Sequence, residues 1–104
     1  MRTLPPSEVQ PLFNEGALIL LDVRTDDELA TARIAGSLDI PLHELPQRFG
    51  EIPQDKPLAV ICHHGVRSQT AARFLEKSGF AEVISVAGGI DAWSLDVDGA
   101  IPRY

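Results

Sequence analysis

Cysteine is nearly absent from this chain: one stands among 104 residues, alongside a single tryptophan and a single methionine. One cysteine excludes an internal disulfide, and a lone thiol fits a reducing compartment better than an oxidising one. Long hydrophobic runs are missing too. The longest, Ala17–Leu21 and Leu58–Ile61, have the length of strands and cannot cross a bilayer. The opening residues lack a basic stretch followed by an apolar core, so a soluble, unexported, cytoplasmic protein with no membrane partner is expected. Positive charge is scarce, with Lys and Arg numbering 9 against 15 Asp and Glu for a net charge of -6, which argues against nucleic acid as a general partner. Repeats, low-complexity tracts and linkers are not found, and the composition is that of a globular chain. One domain over residues 1–104 is expected, and its size makes a monomer the default.

The remaining sequence reads as helices and strands in alternation. Ser7 with Gln10 forms a capping-box pattern that opens a short helix closed by Gly16, and Ala17–Val23 follows as a buried strand. Thr25 with Glu28 repeats the pattern and opens a second helix. Ser37–Ile40 is a short strand stopped by Pro41, with a weak helical turn through Leu45–Phe49. Pro57 introduces the strand Leu58–Ile61. Gln69–Ser78 is the next helix, with Ala71, Ala72 and Leu75 on one face and Gly79 as its stop. A strand over Glu82–Val86 leads through Gly88-Gly89 to a final helix near Ile90–Leu95. Apolar strands alternating with helices specify an α/β fold, a parallel sheet covered on both sides, whose ligands bind beyond the carboxyl ends of the strands.

Cys62 lies at such an end, in the run Cys62-His63-His64-Gly65-Val66-Arg67-Ser68 between a buried strand and a helix. Amide N–H groups in a tight loop and at a helix start favour negative charge, hence thiolate over thiol. Gly65 permits the backbone to curl around a sulfur anion. Arg67 offers a permanent charge and a fork of donors to an oxyanion or a persulfide, and Ser68 can cap the helix and donate its hydroxyl into the loop. The segment from Lys56 to Lys77 carries a net +3 while the rest of the chain carries -9, so an anionic ligand is expected there.

A cysteine ending an apolar strand is often an inert core residue; the glycine, the arginine and the helix start set this one apart. His63 and His64 could join Cys62 around a metal ion, but three adjacent residues cannot readily point at one ion, so neither metal nor cofactor is expected. Their amides, and side-chain charge near neutral pH, are the expected contribution. Asp22, Arg24 and Glu28 read as a structural pairing near the same edge of the sheet, Gly88-Gly89 as a turn or close backbone approach, Trp93 as core, and His43 as solvated.

The run Cys62–Ser68, followed by Ala71-Ala72, Gly79-Phe80, Val83, Gly88-Gly89-Ile90 and Trp93, closely resembles the single-domain rhodanese family. Upstream, Leu21-Asp22-Val23-Arg24, Glu28, Ile34-Ala35-Gly36 and Ile40-Pro41 resemble its other blocks, so the likeness runs from about Ser7 to Trp93. It implies a rhodanese-like five-stranded parallel sheet with helices on both faces, including a short first strand near Thr3. It further implies a sulfurtransferase in which Cys62 takes the outer sulfur of a donor as a persulfide. Amides of His63, His64, Gly65, Val66, Arg67 and Ser68 would hold that sulfur until an acceptor such as cyanide removes it. Small sulfur donors and acceptors, with a cysteine desulfurase or another protein as a further candidate, are the implied partners. The chain departs from the family at Ala32-Arg33, where many relatives have Gly-His, a change expected at the outer surface or the rim of the site.

Three rival readings share this pattern. Cysteine phosphatases and arsenate reductases also end a thiolate loop in arginine, but with five residues between the two; here His63–Val66 supply four, a narrower cradle suited to one sulfur atom. A binding module that had lost its chemistry would lack the cysteine or the loop glycine, and both are present. A protein-to-protein sulfur carrier would keep the whole loop.

Overall fold

A computed structural model describes residues 1–104. The element order is β1 (Arg2–Leu4), α1 (Pro6–Asn14), β2 (Ile19–Asp22), α2 (Asp26–Thr31), β3 (Leu38–Asp39), α3 (Leu45–Arg48), β4 (Leu58–Ile61), α4 (Val66–Lys77), β5 (Val83–Val86) and α5 (Gly89–Asp96). Single 3-10 turns flank α3. The five strands form one parallel sheet in the order β1-β5-β4-β2-β3, which places β4 at its centre. The sheet implied by the family likeness is thus present, including the first strand around Thr3.

Strand periodicity divides the core in two. Leu58, Val60 and Cys62 point to one face, where they join Leu21, Val23, Leu45 and the Ala71, Ala72 and Leu75 stripe of α4. Ala59 and Ile61 point to the other, with Leu20, Ile84 and Val86, under Val9 of α1 and Ile90 and Trp93 of α5. Cys62 therefore continues the α4-facing row of β4 by one residue past the strand's end. Each fully buried Leu or Ile adds about 1.5–3 kcal/mol, so both faces of β4 hold that end firmly in place. Trp93 is 2% exposed and meets Phe13 edge-on, as its expected core role requires.

Local differences from expectation have local causes. The expected α1 opening at Ser7 is not found: Pro5 is the N-cap, Pro6 is the first helical residue and no side chain caps the end. A proline there is already shaped for the first turn and lacks only an N–H that would have had no partner, so the helix starts without the capping box. In α2 the expected box is complete, with Glu28 N–H donating to the Thr25 hydroxyl and Thr25 N–H donating to Glu28. Helix α4 begins three residues before the expected Gln69, at Val66, because Gly65 takes φ +102° and turns the chain directly into the helix.

Candidate active site

The Cys62 side chain is buried, the residue being 1% exposed, and its sulfur accepts N–H bonds from Gly65 at 3.1 Å and Ser68 at 3.3 Å. Both amides present the positive ends of their N–H dipoles to the sulfur. The loop presents N–H groups inward because its carbonyls are occupied elsewhere. Ile90 N–H donates to the Cys62 carbonyl at 2.8 Å and Asp91 N–H to that of His63 at 3.2 Å, so the first turn of α5 clamps the loop from behind. The Ser68 hydroxyl donates to the Gly65 carbonyl at 3.2 Å and lies 2.7 Å from the Ser85 hydroxyl. A hydroxyl has one proton, so Ser85 supplies the bond between the two serines. Ser68 is thus a brace inside the loop; the expected cap at the start of α4 is Gly65 instead.

Two glycines make this contact possible. A Cβ on Gly65 would stand 3.1 Å from Gly88 N at a φ no L side chain favours, and one on Gly89 (φ +61°) would stand 2.4 Å from both the Cys62 and the His63 carbonyl oxygens. The Gly88-Gly89 turn is the close backbone approach beside the loop that the sequence suggests.

The charged side chains are arranged differently from the sequence reading. Arg67 forks onto Glu28, with N–H···O distances of 2.6 and 2.8 Å, and no bond joins it to Cys62. Hydrogen bonds from Arg67, helped by Tyr104 and Thr25 and opposed by burial, hold the Glu28 carboxyl well below the usual carboxylate range. The structural pairing expected of Arg24 is present, but its acid is Asp22. Both side chains are fully buried and joined by bonds of 2.8–3.1 Å, and Arg24 reaches Glu28 only at its backbone carbonyl. Arg24 also donates to the Ala32 carbonyl at 2.7 Å and to the Tyr104 hydroxyl at 2.8 Å. The Ala32-Arg33 departure is therefore only half on the surface: Arg33 points outward and pairs with Asp39 at 2.7 Å, while Ala32 is buried in the core. Nor does the positive run from Lys56 to Lys77 gather at the sulfur. Lys56 precedes the amino end of β4 and Lys77 closes the far end of α4, leaving Arg67 as its only member in the loop.

His63 and His64 stack with ring centroids 3.8 Å apart, and His63 stacks equally closely on Tyr104 at an interplanar angle of 9°. The His63 Nε2–H donates to the Tyr104 backbone oxygen at 2.8 Å. The Tyr104 hydroxyl in turn donates to Glu28 at 2.7 Å; burial pushes that phenol up to about 12, so it stays a donor at any ordinary pH. Val66, at the start of α4, is 76% exposed beside the buried sulfur. Sequence reasoning missed Tyr104 and Ser85. Ser85 had a faint signal as the one polar residue in Val-Ile-Ser-Val, and Tyr104 had none beyond being the chain's single tyrosine.

Comparison with known proteins gives consistent results. A family model described as the rhodanese-like domain matches residues 5–96. The thiosulfate sulfurtransferase GlpE of Stutzerimonas stutzeri is 38% identical over 92 residues, covering 88% of this chain and 84% of that protein. A sulfurtransferase of Allochromatium vinosum is 36% identical over 85 residues, or 82% of this chain and 79% of its own length. Among solved structures, a rhodanese-related protein from Thermoplasma volcanium superposes with a TM-score of 0.85 at 35% identity, covering 93% of this chain and 94% of that one. No helix of the chain is long and apolar enough to cross a membrane.

Proposed function

The chain belongs to the rhodanese-like domain family and is an enzyme of the sulfurtransferase type, and from that premise we propose that Cys62 carries the transferred sulfur as a persulfide. The single observation that supports this best is the buried Cys62 sulfur at the carboxyl end of the central strand, with the Gly65 and Ser68 amides directed at it. The Cys62 thiolate attacks the outer sulfur of a donor such as thiosulfate. A new S–S bond forms, the donor's own S–S bond breaks, and sulfite leaves with the bonding pair. The terminal sulfur then bears the negative charge and is held by amides of the loop from His63 through His64, Gly65, Val66 and Arg67 to Ser68. An acceptor such as cyanide attacks that sulfur, thiocyanate departs, and the Cys62 thiolate is restored. Electrons balance without any cofactor.

The four-residue spacing between Cys62 and Arg67 favours this over phosphate-ester hydrolysis, which needs room for a tetrahedral oxyanion. While Arg67 is engaged with Glu28, the donor's charge is met by the loop amides and not by a free guanidinium. The same thiolate could be loaded by the persulfide of a cysteine desulfurase, and the single thiol suits a reducing cytoplasm. We read residues 1–104 as one sulfurtransferase domain acting as a monomer.

The test is the intact mass of the protein before and after thiosulfate and again after cyanide, for wild type and Cys62→Ala. The expected result is a gain of one sulfur atom that cyanide removes as thiocyanate, with no gain in the variant. Loading by a cysteine desulfurase alone would make a protein persulfide the donor. No gain from thiosulfate, mercaptopyruvate or a desulfurase would sink the persulfide reading in favour of a binding module.

A further inference from the structure

The segment that follows α5 is anchored at several points. Ile101 is buried against the core that holds Trp93, its carbonyl accepts the Ser94 hydroxyl, and Arg103 pairs with Asp91 at 2.8 Å. These anchors deliver Tyr104 to the carboxyl edge of the sheet. Its ring lies nearly parallel to that of His63, the residue after Cys62, and its hydroxyl stands between Arg24 and Glu28. Because Glu28 also holds Arg67, one side chain touches the first residue after Cys62 directly and the first turn of α4 through a single carboxylate. The rings of His64, His63 and Tyr104 form a continuous stack along this side of the loop. No step of the sulfur-transfer chemistry uses Tyr104, yet it is 39% exposed and commits its hydroxyl to an ion-pair network.

We propose that Tyr104 is a specificity-determining residue, an aromatic wall with His63 beside Cys62 that admits a slim nucleophile to the persulfide and hinders a thiol carrying a bulky group. This rests on the persulfide reading above. The step it controls is discharge. The acceptor thiolate attacks the terminal sulfur, a new S–S bond forms, the old one breaks, and its electron pair returns to Cys62. A two-atom anion such as cyanide needs only a narrow approach to the terminal sulfur, whereas the peptide body of glutathione must lie against the wall as its sulfur arrives. Stacking on His63 and the hydroxyl bridge restrain the ring while the bond from His63 Nε2 holds the Tyr104 backbone, so the wall has little freedom to swing aside.

The experiment loads wild type, Tyr104→Phe, Tyr104→Ala and Tyr104→Trp with thiosulfate and measures second-order discharge by cyanide and by glutathione. The readout is the ratio of the glutathione rate to the cyanide rate, which cancels any general loss of active protein. Tyr104→Ala should raise that ratio at least fivefold, Tyr104→Trp should lower it at least threefold, and Tyr104→Phe, which keeps the ring, should stay within twofold of wild type. An unchanged ratio in both the Ala and Trp variants overturns the proposal. A rise in Tyr104→Phe equal to that in Tyr104→Ala also overturns it, because the hydroxyl bridge and not the ring would then be the determinant. If neither wild type nor any variant acquires sulfur from thiosulfate, mercaptopyruvate or a cysteine desulfurase, the persulfide reading itself has failed. The wall is then judged from alkylation of reduced Cys62 by iodoacetamide against a fluorescein maleimide, where Tyr104→Ala must favour the larger reagent by the same factor.

Discussion

Replacing Gly89 by alanine separates two effects that glycine substitutions normally mix. The new Cβ would stand 2.4 Å from the carbonyl oxygens of Cys62 and His63 and 2.5 Å from the His63 carbonyl carbon, all of them backbone atoms that cannot rotate away. Restoring ordinary contact requires α5 to retreat by about 1 Å. That retreat breaks the 2.8 Å bond from Ile90 to Cys62 and the 3.2 Å bond from Asp91 to His63. Each lost bond is worth about 0.5–1.5 kcal/mol, more where a buried N–H is left alone. The left-handed backbone at φ +61° adds about 1–2 kcal/mol for any L side chain. We expect Gly89→Ala to destabilise by about 3–5 kcal/mol, a fall in Tm of more than about 10 °C for a domain of this size. Gly79 is the control: its φ is +103° but nothing lies within 4 Å of its would-be Cβ, so Gly79→Ala should show only the conformational part, about 1–2 kcal/mol. Urea unfolding followed by the fluorescence of buried Trp93 measures both. Sulfur loading of Gly89→Ala should also slow by at least about tenfold, since displacing the Cys62 carbonyl turns the loop amides away from the sulfur. Equal stability of the two variants, within about 0.5 kcal/mol, would refute the steric argument, because both sites have positive φ and only the buried Gly89 faces a backbone clash.

Two further substitutions probe the charge network. In Glu28→Gln, Arg67 loses its carboxylate partner, at about 1–2 kcal/mol near neutral pH. Because the Glu28 carboxyl is held well below its ordinary value, that contribution is fully present above the unfolded carboxylate value of about 4.3 and fades as pH falls through the folded one. Urea titrations at pH 6, 4 and 3 should therefore show the gap between wild type and variant narrowing with acid; a constant gap would sink the assignment. In Asp22→Asn, the fully buried Arg24 keeps its charge but loses its counter-ion, which should destabilise by about 3–5 kcal/mol. A thermal melt that moves by less than a few degrees would contradict it.

The centre of the fold was readable because its signals are local. Pro57 followed by four apolar residues marks β4 to the residue, and the Thr25/Glu28 box marks α2, since both of its bonds close within one turn. Cys62 and Gly65 stood out for the same reason, as neighbours in one short run. Illegible features depend on residues distant in sequence. Strand β1 has a pattern of exposed and partly buried residues and exists because β5 offers it an edge. The early start of α4 rests on a first turn of Val66, Arg67 and Ser68, two of them without apolar periodicity, with the Ser68 amide turned toward Cys62. Arg67 looked like an anion ligand because nothing near it in the sequence announces Glu28, 39 positions away, and Tyr104 reaches the same carboxylate from 76 positions away.

The pairing of the first strand with the fifth imposes an order of assembly on the chain. Arg2 aligns with Ile84 and Leu4 with Val86, so the residues of β1 have their only ladder partner 82 positions later in the chain. At a translation rate of about 5–20 residues per second, they wait on the order of several seconds for it. Strands β2 and β4 can pair sooner, Ile19 with Leu58 through Asp22 with Ile61, and would nucleate the sheet from its middle outward. Closing the loop between β1 and β5 late is cheap in entropy, since that term grows only with the logarithm of loop length. The outer edge of β5 is left open until it happens. The arrangement makes β1 a late cover for the four-residue edge of β5, after which the outer strands of the sheet are only the three-residue β1 and the two-residue β3, shorter templates for a neighbour's strand.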